Sequence, residues 1–338
     1  MEKILSIGFA HHNDFDGAWF TIQDIRKELI FNGRKDLLDQ IEFVVIENDK
    51  TSNHSNTLKN FLITTLAKTK SLSYSIFNGS GTGVAKNEVV KTANGKFVLV
   101  LDCHVLLCPV VEVITKLFEF IKNNPETNDI YNGPLVHDDC INFSTHFTNK
   151  WSNFMWGAWS IARSCSCGKF NFDINKVEDD FEFRSVATGQ VVHSCPNCNT
   201  SLPPKEIGAT IATCGDEPFE IFAQGTGCFL VRKDAWLGYN EYALGFGGEE
   251  CYIHEKYRKA GHKAYCLPFL KWLHRFGRPE DPKYLLDNLY KLRNYILEFT
   301  ELSMDLSPIH KHFVTDNNFD EIVYNSFVRE AKYLYNRD

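Results

Sequence analysis

The 338 residues are 43% hydrophobic and 23% charged, with a net charge of -7, the profile of a globular chain able to build one large α/β domain with an insertion, or two domains. The acidic balance excludes a generally basic, nucleic-acid-coating surface, and no run reaches the roughly 18 apolar residues of a membrane span. The short apolar start at Ile4-Leu5-Ser6-Ile7, followed by no small-residue cleavage site, reads as a strand, so a cytoplasmic setting is expected, the host cytoplasm if the chain is viral.

Residues 4–10 and 42–46 have the unbroken apolar character of buried parallel strands, with helical spacing across residues 20–38 between them. Each strand stops at a polar cluster, His11-His12-Asn13-Asp14 and Glu47-Asn48-Asp49. Gly79, Gly81 and Gly83 open a predicted helix over residues 82–93, which Asn94-Gly95 closes before the apolar run 97–101. Such alternation predicts a doubly wound sheet. A covering helix is expected over residues 109–122, broken by Asn123-Asn124-Pro125. Residues 131–159, rich in aromatics with Trp151, Trp156 and Trp159 close together, show no clean period and read as a loop-rich pocket wall. The sheet resumes over residues 220–232, with Gly225-Thr226-Gly227 as a bend. A helix is expected from Glu249 to Lys259, then short strands at 265–267 and 270–273, and a helical tail from Tyr284 that carries no legible motif.

Chemistry concentrates at four places. Asp102-Cys103-His104 follows the run 97–101 directly, where open α/β sheets bind ligands, and an Asp and a His one residue apart can hold one divalent cation through oxygen and nitrogen. His274 ends a short strand and offers a third ligand, while Lys271, Arg275 and Arg278 would place positive charge near an anion held by the metal, a diphosphate being the natural candidate. Glu249 and Glu250 follow Gly247-Gly248 at a helix start, where the helix dipole favours ionised carboxylates and a general base can face a ligand. Cys165-Ser166-Cys167 and Cys195-Pro196-Asn197-Cys198 are two cysteine pairs separated by a stretch that can fold back as a hairpin; four thiolates make a closed, structural Zn²⁺ site holding an insertion of about forty residues.

In this order the parts resemble the metal-dependent nucleotide-sugar glycosyltransferases of the GT-A fold, over about residues 4–278 apart from the cysteine segment. Asp102-Cys103-His104 is similar to the Asp-x-His form of that family's Asp-x-Asp motif, as in the polypeptide N-acetylgalactosaminyltransferases. Gly247-Gly248-Glu249-Glu250 is similar to their Gly-Gly-Glu segments and those of galactosyltransferases, and residues 245–279 look like phage and bacterial family 2-type enzymes. The resemblance implies a GT-A type, Rossmann-like mixed α/β sheet flanked by helices, with a small zinc-ribbon insertion and a helical C-terminal tail. The corresponding division is a nucleotide-sugar half at 1–162, the ribbon at 163–206, an acceptor half at 207–280 and the tail at 281–338.

It further implies that Asp102, His104 and His274 bind Mn²⁺ or Mg²⁺ with the donor's phosphates, that Glu47 or Asp49 meets the base or ribose, and that Ala10 and His11 line the nucleotide pocket. Lys86, where many relatives have Arg, would lie near the donor. Glu250 falls at the catalytic base of inverting relatives, and Glu249 would contact donor sugar or acceptor. The expected activity is hexosyl transfer from a nucleotide-diphosphate sugar, UDP-linked, to a hydroxyl acceptor, with a modified DNA base, a protein or a saccharide all open. The rival is an inactive GT-A-like module that uses the zinc ribbon to bind DNA or protein; a nucleotidyltransferase is disfavoured because His11-His12-Asn13-Asp14 is no glycine-rich phosphate loop.

Overall fold

A computed structural model describes residues 3–48, 52–66, 71–177, 180–202, 216–277 and 287–336. The first half alternates strands and helices: β1 (Leu5–His11), α1 (Phe15–Phe31), α2 (Lys35–Leu38), β2 (Ile41–Glu47), α3 (Asn53–Thr65), β3 (Leu72–Ile76), α4 (Thr82–Thr92), β4 (Phe97–Leu101), β5 (Val105–Leu107) and α5 (Val110–Asn123). Strands then dominate, with β6 (Ile130–Asn132), β7 (Leu135–Val136), β8 (Phe143–Ser144), β9 (His146–Ser152), β10 (Met155–Ser160), β11 (Arg163–Ser164), β12 (Asn171–Val177), β13 (Asp180–Ser185), β14 (Phe219–Glu220) and β15 (Cys228–Arg232). The chain continues through α6 (Glu249–Lys259), β16 (Ala264–Cys266) and β17 (Trp272–His274) to the helices α7 (Asn288–Glu301), α8 (Ser307–His310) and α9 (Glu321–Leu334).

Eight strands form one mixed sheet in the order β14-β16-β6-β15-β4-β1-β2-β3. β1 lies parallel to β2 and β4, and β3 parallel to β2, so these four strands end on one edge; β15 runs antiparallel to β4. The sheet is thus mixed rather than purely parallel, as the implied GT-A arrangement requires.

Alternation along the strands assigns each face its helices. Leu5, Ile7, Phe9, Phe43, Val45, Leu99 and Leu101 pack with Ile22 and Leu29 of α1, Leu62 of α3 and Ile114 and Leu117 of α5. The intervening Val44, Ile46, Val98, Val100 and Phe229 pack with Val89 of α4 and Tyr252, Ile253 and Tyr257 of α6. With both faces covered, the central strands read as continuous apolar runs, which is why the sequence pattern locates them.

Two stretches differ from expectation. Residues 131–159 are not a loop-rich wall: β9 and β10 form an antiparallel hairpin, with β6, β7 and β8 before it. Its aromatics face α7 and the segment after α8, where Trp151 and Trp156 stack at 6.1 Å and Phe147, Trp156, Tyr295, Phe299 and Phe313 share a core. Covering by helices removes the polar alternation by which strands are usually recognised. Residues 220–232 are likewise two strands, β14 and β15, on different parts of the sheet. The pair α3 and β3 has no counterpart in the sequence-based elements; β3 is an edge strand of half-buried and exposed residues, so its apolar signal is diluted.

The cysteine segment carries its own three-stranded sheet, β11-β12-β13, around a small core of Cys165, Phe172, Phe183, Cys195 and Leu202. A buried pair joins it to the hairpin, His146 Nε2 lying 3.1 Å from Asp173 Oδ2. Its expected end at residue 206 and the start of the tail at 284 lie outside the described residues. No described helix is long and apolar enough to cross a membrane.

Candidate functional site

The Asp-x-His segment sits at the turn between β4 and β5. The Asp102 amide donates to the Gly227 carbonyl at 2.9 Å, which fixes Asp102 where β4 leaves its pairing with β15. β5 then pairs antiparallel with β17 in a register that sets Val105 opposite His274, and the Arg275 amide donates to the His104 carbonyl at 3.3 Å. Residues separated by 170 positions meet because of this pairing: His104 Nε2 lies 3.0 Å from His274 Nε2, and His274 Nε2 lies 3.5 Å from Asp102 Oδ2. One donor atom from each of Asp102, His104 and His274 falls within 4.8 Å of the others. Two neutral imidazoles that aim Nε2 lone pairs at each other across 3.0 Å repel unless a proton or a cation lies between them, so the donor set suits a divalent ion with open positions. Gly227 makes room for this, because a Cβ there would come 2.8 Å from the Trp272 ring and 3.2 Å from Asp102 Oδ2.

Lys86 is buried, and its ammonium donates to the Thr226 carbonyl at 2.8 Å and lies 3.1 Å from Asp102 Oδ1. Burial alone would lower its pKa, but the charges of Asp102, Glu249 and Glu250 raise it above the ordinary lysine value, so it stays protonated. Burial likewise pushes the Asp102 carboxyl up, and Lys86 with the two imidazoles more than reverses this, holding it well below the usual range. Lys86 therefore serves Asp102, neutralising one oxygen while the other faces the imidazoles.

Gly247 and Gly248 take φ of +101° and +112°, which L side chains rarely adopt, and deliver Glu249 and Glu250 into the first turn of α6. Glu249 is fully engaged by the protein: Oε2 accepts from the Gly247 amide at 2.8 Å and Oε1 from the Thr82 hydroxyl, tying α6 to the start of α4. Glu250 differs. It is 8% exposed, and its buried Oε2 has no hydrogen-bond partner. The expectation that the helix dipole keeps both acids ionised fails for Glu250, whose pKa burial and then the neighbouring Glu249 push up to about 8. Desolvation outweighs a dipole worth roughly 1 kcal/mol.

The tail without a motif proves to hold this loop. The side-chain oxygen of Asn294 on α7 accepts from the Leu244 amide at 3.0 Å, and its nitrogen donates to the carbonyls of Leu244 and Gly247, each at 2.9 Å. Lys291 of the same helix lies within electrostatic reach of Glu249 and Glu250.

At the ends of β1 and β2, Ala10 is half-buried, whereas His11 and Glu47 are fully buried and face each other, Nδ1 to Oε1 at 3.0 Å. His11 Nε2 accepts from the Asp14 amide at 3.3 Å, so the ring's proton is on Nδ1 and is donated to Glu47. Asp49 and Arg278 lie outside the described residues. Arg275 is paired with Asp14, Nη2 to Oδ1 at 2.6 Å, and exposed Lys271 lies within electrostatic reach of Glu112 on α5. Asp14 is a site residue that the sequence pattern places only in a polar strand terminus.

Cys165, Cys167, Cys195 and Cys198 converge, with Sγ separations of 3.5 Å for Cys165–Cys198 and 3.7 Å for Cys167–Cys195. A tetrahedron with Zn–S bonds of about 2.3 Å has edges of about 3.8 Å, so the cluster can hold Zn²⁺. Each pair forms a tight knuckle: the Gly168 amide donates to the Cys165 carbonyl and the Asn199 amide to the Cys195 carbonyl, with Gly168 and Asn199 at positive φ.

No protein-family model and no curated protein matches the chain. Among solved structures it is similar to GalNAc-T7 with UDP, GalNAc and Mn²⁺, at 14% identity and a TM-score of 0.58 over 99% of this chain and 55% of that one. It is also similar to the mannosyltransferase PcManGT from Pyrobaculum calidifontis in complex with GDP-Man and Mn²⁺, at 10% identity and a TM-score of 0.51 over 98% of this chain and 74% of that one. The chain thus spans about half the length of the first, and its fold is of GT-A type.

Asn294→Ala should free the loop that carries Gly247 and Gly248. The expected outcome is a loss of about 1–3 kcal/mol in denaturant unfolding, with faster hydrogen exchange at the Leu244 amide than at amides of β1.

Proposed function

We propose that the protein is a metal-dependent glycosyltransferase that moves a hexosyl group from a nucleotide-diphosphate donor, UDP-linked, to a hydroxyl acceptor. The observation that carries this is the convergence of Asp102, His104 and His274 at the strand edge where β1, β2 and β4 also end. The two similar structures support it, since one holds UDP, GalNAc and Mn²⁺ and the other GDP-Man and Mn²⁺ on this fold.

Asp102, His104 and His274 would hold Mn²⁺ or Mg²⁺, which supplies positive charge to the departing diphosphate. Lys86 keeps Asp102 ionised and oriented for that task. Ala10, His11 and Glu47 line the nucleotide end, with His11 and Glu47 shaping it as a mutually bonded pair; the resemblance adds Asp49 as the alternative to Glu47 at the base or ribose and Arg278 at the phosphates, both outside the described residues. Glu250 would accept the acceptor hydroxyl's proton in an inverting transfer, its affinity for that proton raised by burial and by an Oε2 that the protein leaves unpartnered. Glu249 positions that acid by fixing the first turn of α6 on α4. The four cysteines would hold a structural Zn²⁺ in an insertion beside the acceptor's approach, where it would help select the acceptor, macromolecule or saccharide.

Glu250→Gln should lower transfer by at least about a hundredfold while donor affinity, read by calorimetry with Mn²⁺, stays within about twofold. Because the base must be ionised and burial holds Glu250 up to about 8, kcat/KM of the unsubstituted protein should rise with pH and level off above about 8. A flat profile, or full turnover by the Gln variant, would remove Glu250 from the role.

Stripping zinc with a strong chelator should expose residues 163–202 to protease while the β1–β4 sheet keeps its far-ultraviolet signature. Full protection of that segment without metal would mean that packing alone holds it.

A further inference from the structure

His104 presents two ring nitrogens to two different groups of side chains. Nε2 faces His274 and Asp102, whereas Nδ1 lies 3.1 Å from Asp14 Oδ2, with Cys103 Sγ 3.6 Å away. Asp14, Cys103 and His104 are also close enough together to suggest a second metal site on the Nδ1 side. The guanidinium of Arg275 argues against that, because it sits 2.6 Å from Asp14 Oδ1, already neutralises the carboxylate and would repel a cation placed beside it. Asp14 Oδ1 is further tied by the Gly17 amide at 3.1 Å, where Asp14 caps α1.

We propose that Asp14 is a positioning residue that takes the Nδ1–H of His104 and so fixes Nε2 as the lone pair offered to the metal. This rests on the metal-site reading above. A carboxylate behind a ligating imidazole sets the tautomer, holds the ring plane and raises the ligand's basicity. The surroundings are built for the contact. A Cβ at Gly17 would lie 2.7 Å from Asp14 Oδ2 and 2.9 Å from both the Cys103 carbonyl and His104 Cβ, so glycine lets α1 bring its capping residue against the histidine. Arg275 locks the far side of Asp14 and follows His274 directly, coupling the second imidazole ligand to the device that aims the first. His274 has no equivalent support, since its buried Nδ1 lacks a hydrogen-bond partner, and its ring is held by packing on Phe276 at 4.1 Å.

The test uses the full-length protein with Asp14→Asn, which retains a good helix cap, beside Cys103→Ala. Two readouts are needed: Mn²⁺ affinity by electron paramagnetic resonance, and the His104 tautomer by ¹⁵N spectroscopy without added Mn²⁺. Expected are an Nδ1–H tautomer in the unsubstituted protein, its loss or mixing in Asp14→Asn, a 10- to 100-fold weaker Mn²⁺ affinity in that variant, and unchanged affinity in Cys103→Ala. Wild-type affinity in Asp14→Asn, or an Nε2–H tautomer at the outset, overturns the proposal while leaving the metal site standing. Equal losses in both variants, or two Mn²⁺ per chain, overturn it in favour of a second ligand set. An unsubstituted protein with the Nδ1–H tautomer but no Mn²⁺ affinity overturns the metal-site reading instead, and the proposal with it.

Discussion

The antiparallel pairing of β5 with β17 is the constraint on which the site depends. Three residues on each strand bring the end of the Asp-x-His turn against a histidine 170 positions later, and a slip of one residue would turn every side chain to the opposite face. The pairing is short, so its register is pinned from outside. The Cys108 amide donates to the Lys271 carbonyl at one end and the Arg275 amide to the His104 carbonyl at the other. Trp272, buried against Gly227 at the start of β17, anchors the strand through its indole nitrogen, which donates to the Gly133 carbonyl at 2.6 Å.

Charge in the site is arranged so that each acid has a different fate. Asp102 is kept anionic by a buried ammonium that itself has nowhere else to go, since Thr226 supplies only neutral oxygens. Glu249 is satisfied by a backbone amide and a hydroxyl, and acts as a tie between helices. Glu250, one residue on, has the burial without the partners, and its affinity for a proton rises accordingly.

Much of this was legible in the chain. The run Phe97–Leu101 fixes β4 and so the place of Asp102 and His104, and the glycine pair before Glu249 marks the start of α6 to the residue. The four cysteines announce their cluster through spacing alone. What stayed hidden depends on tertiary context. β9 and β10 are covered by aromatic packing from the C-terminal helices, which erases the alternation of an exposed hairpin. Asp14 reads as one more polar residue after a strand, because its meaning comes from Cα positions 90 residues downstream and from Arg275. Asn294 lies on a helix whose pattern reports only its apolar face, while its function is exercised by the polar one.

That helix has a consequence for how the protein is made. Leu244 and Asn294 are fifty positions apart, so a growing polypeptide displays Asp102, His104 and eventually His274 before the segment that immobilises the glycine pair has left the ribosome. The loop that carries Gly247 and Gly248 therefore takes its final form only once α7 has been made and docked, late in the maturation of the polypeptide.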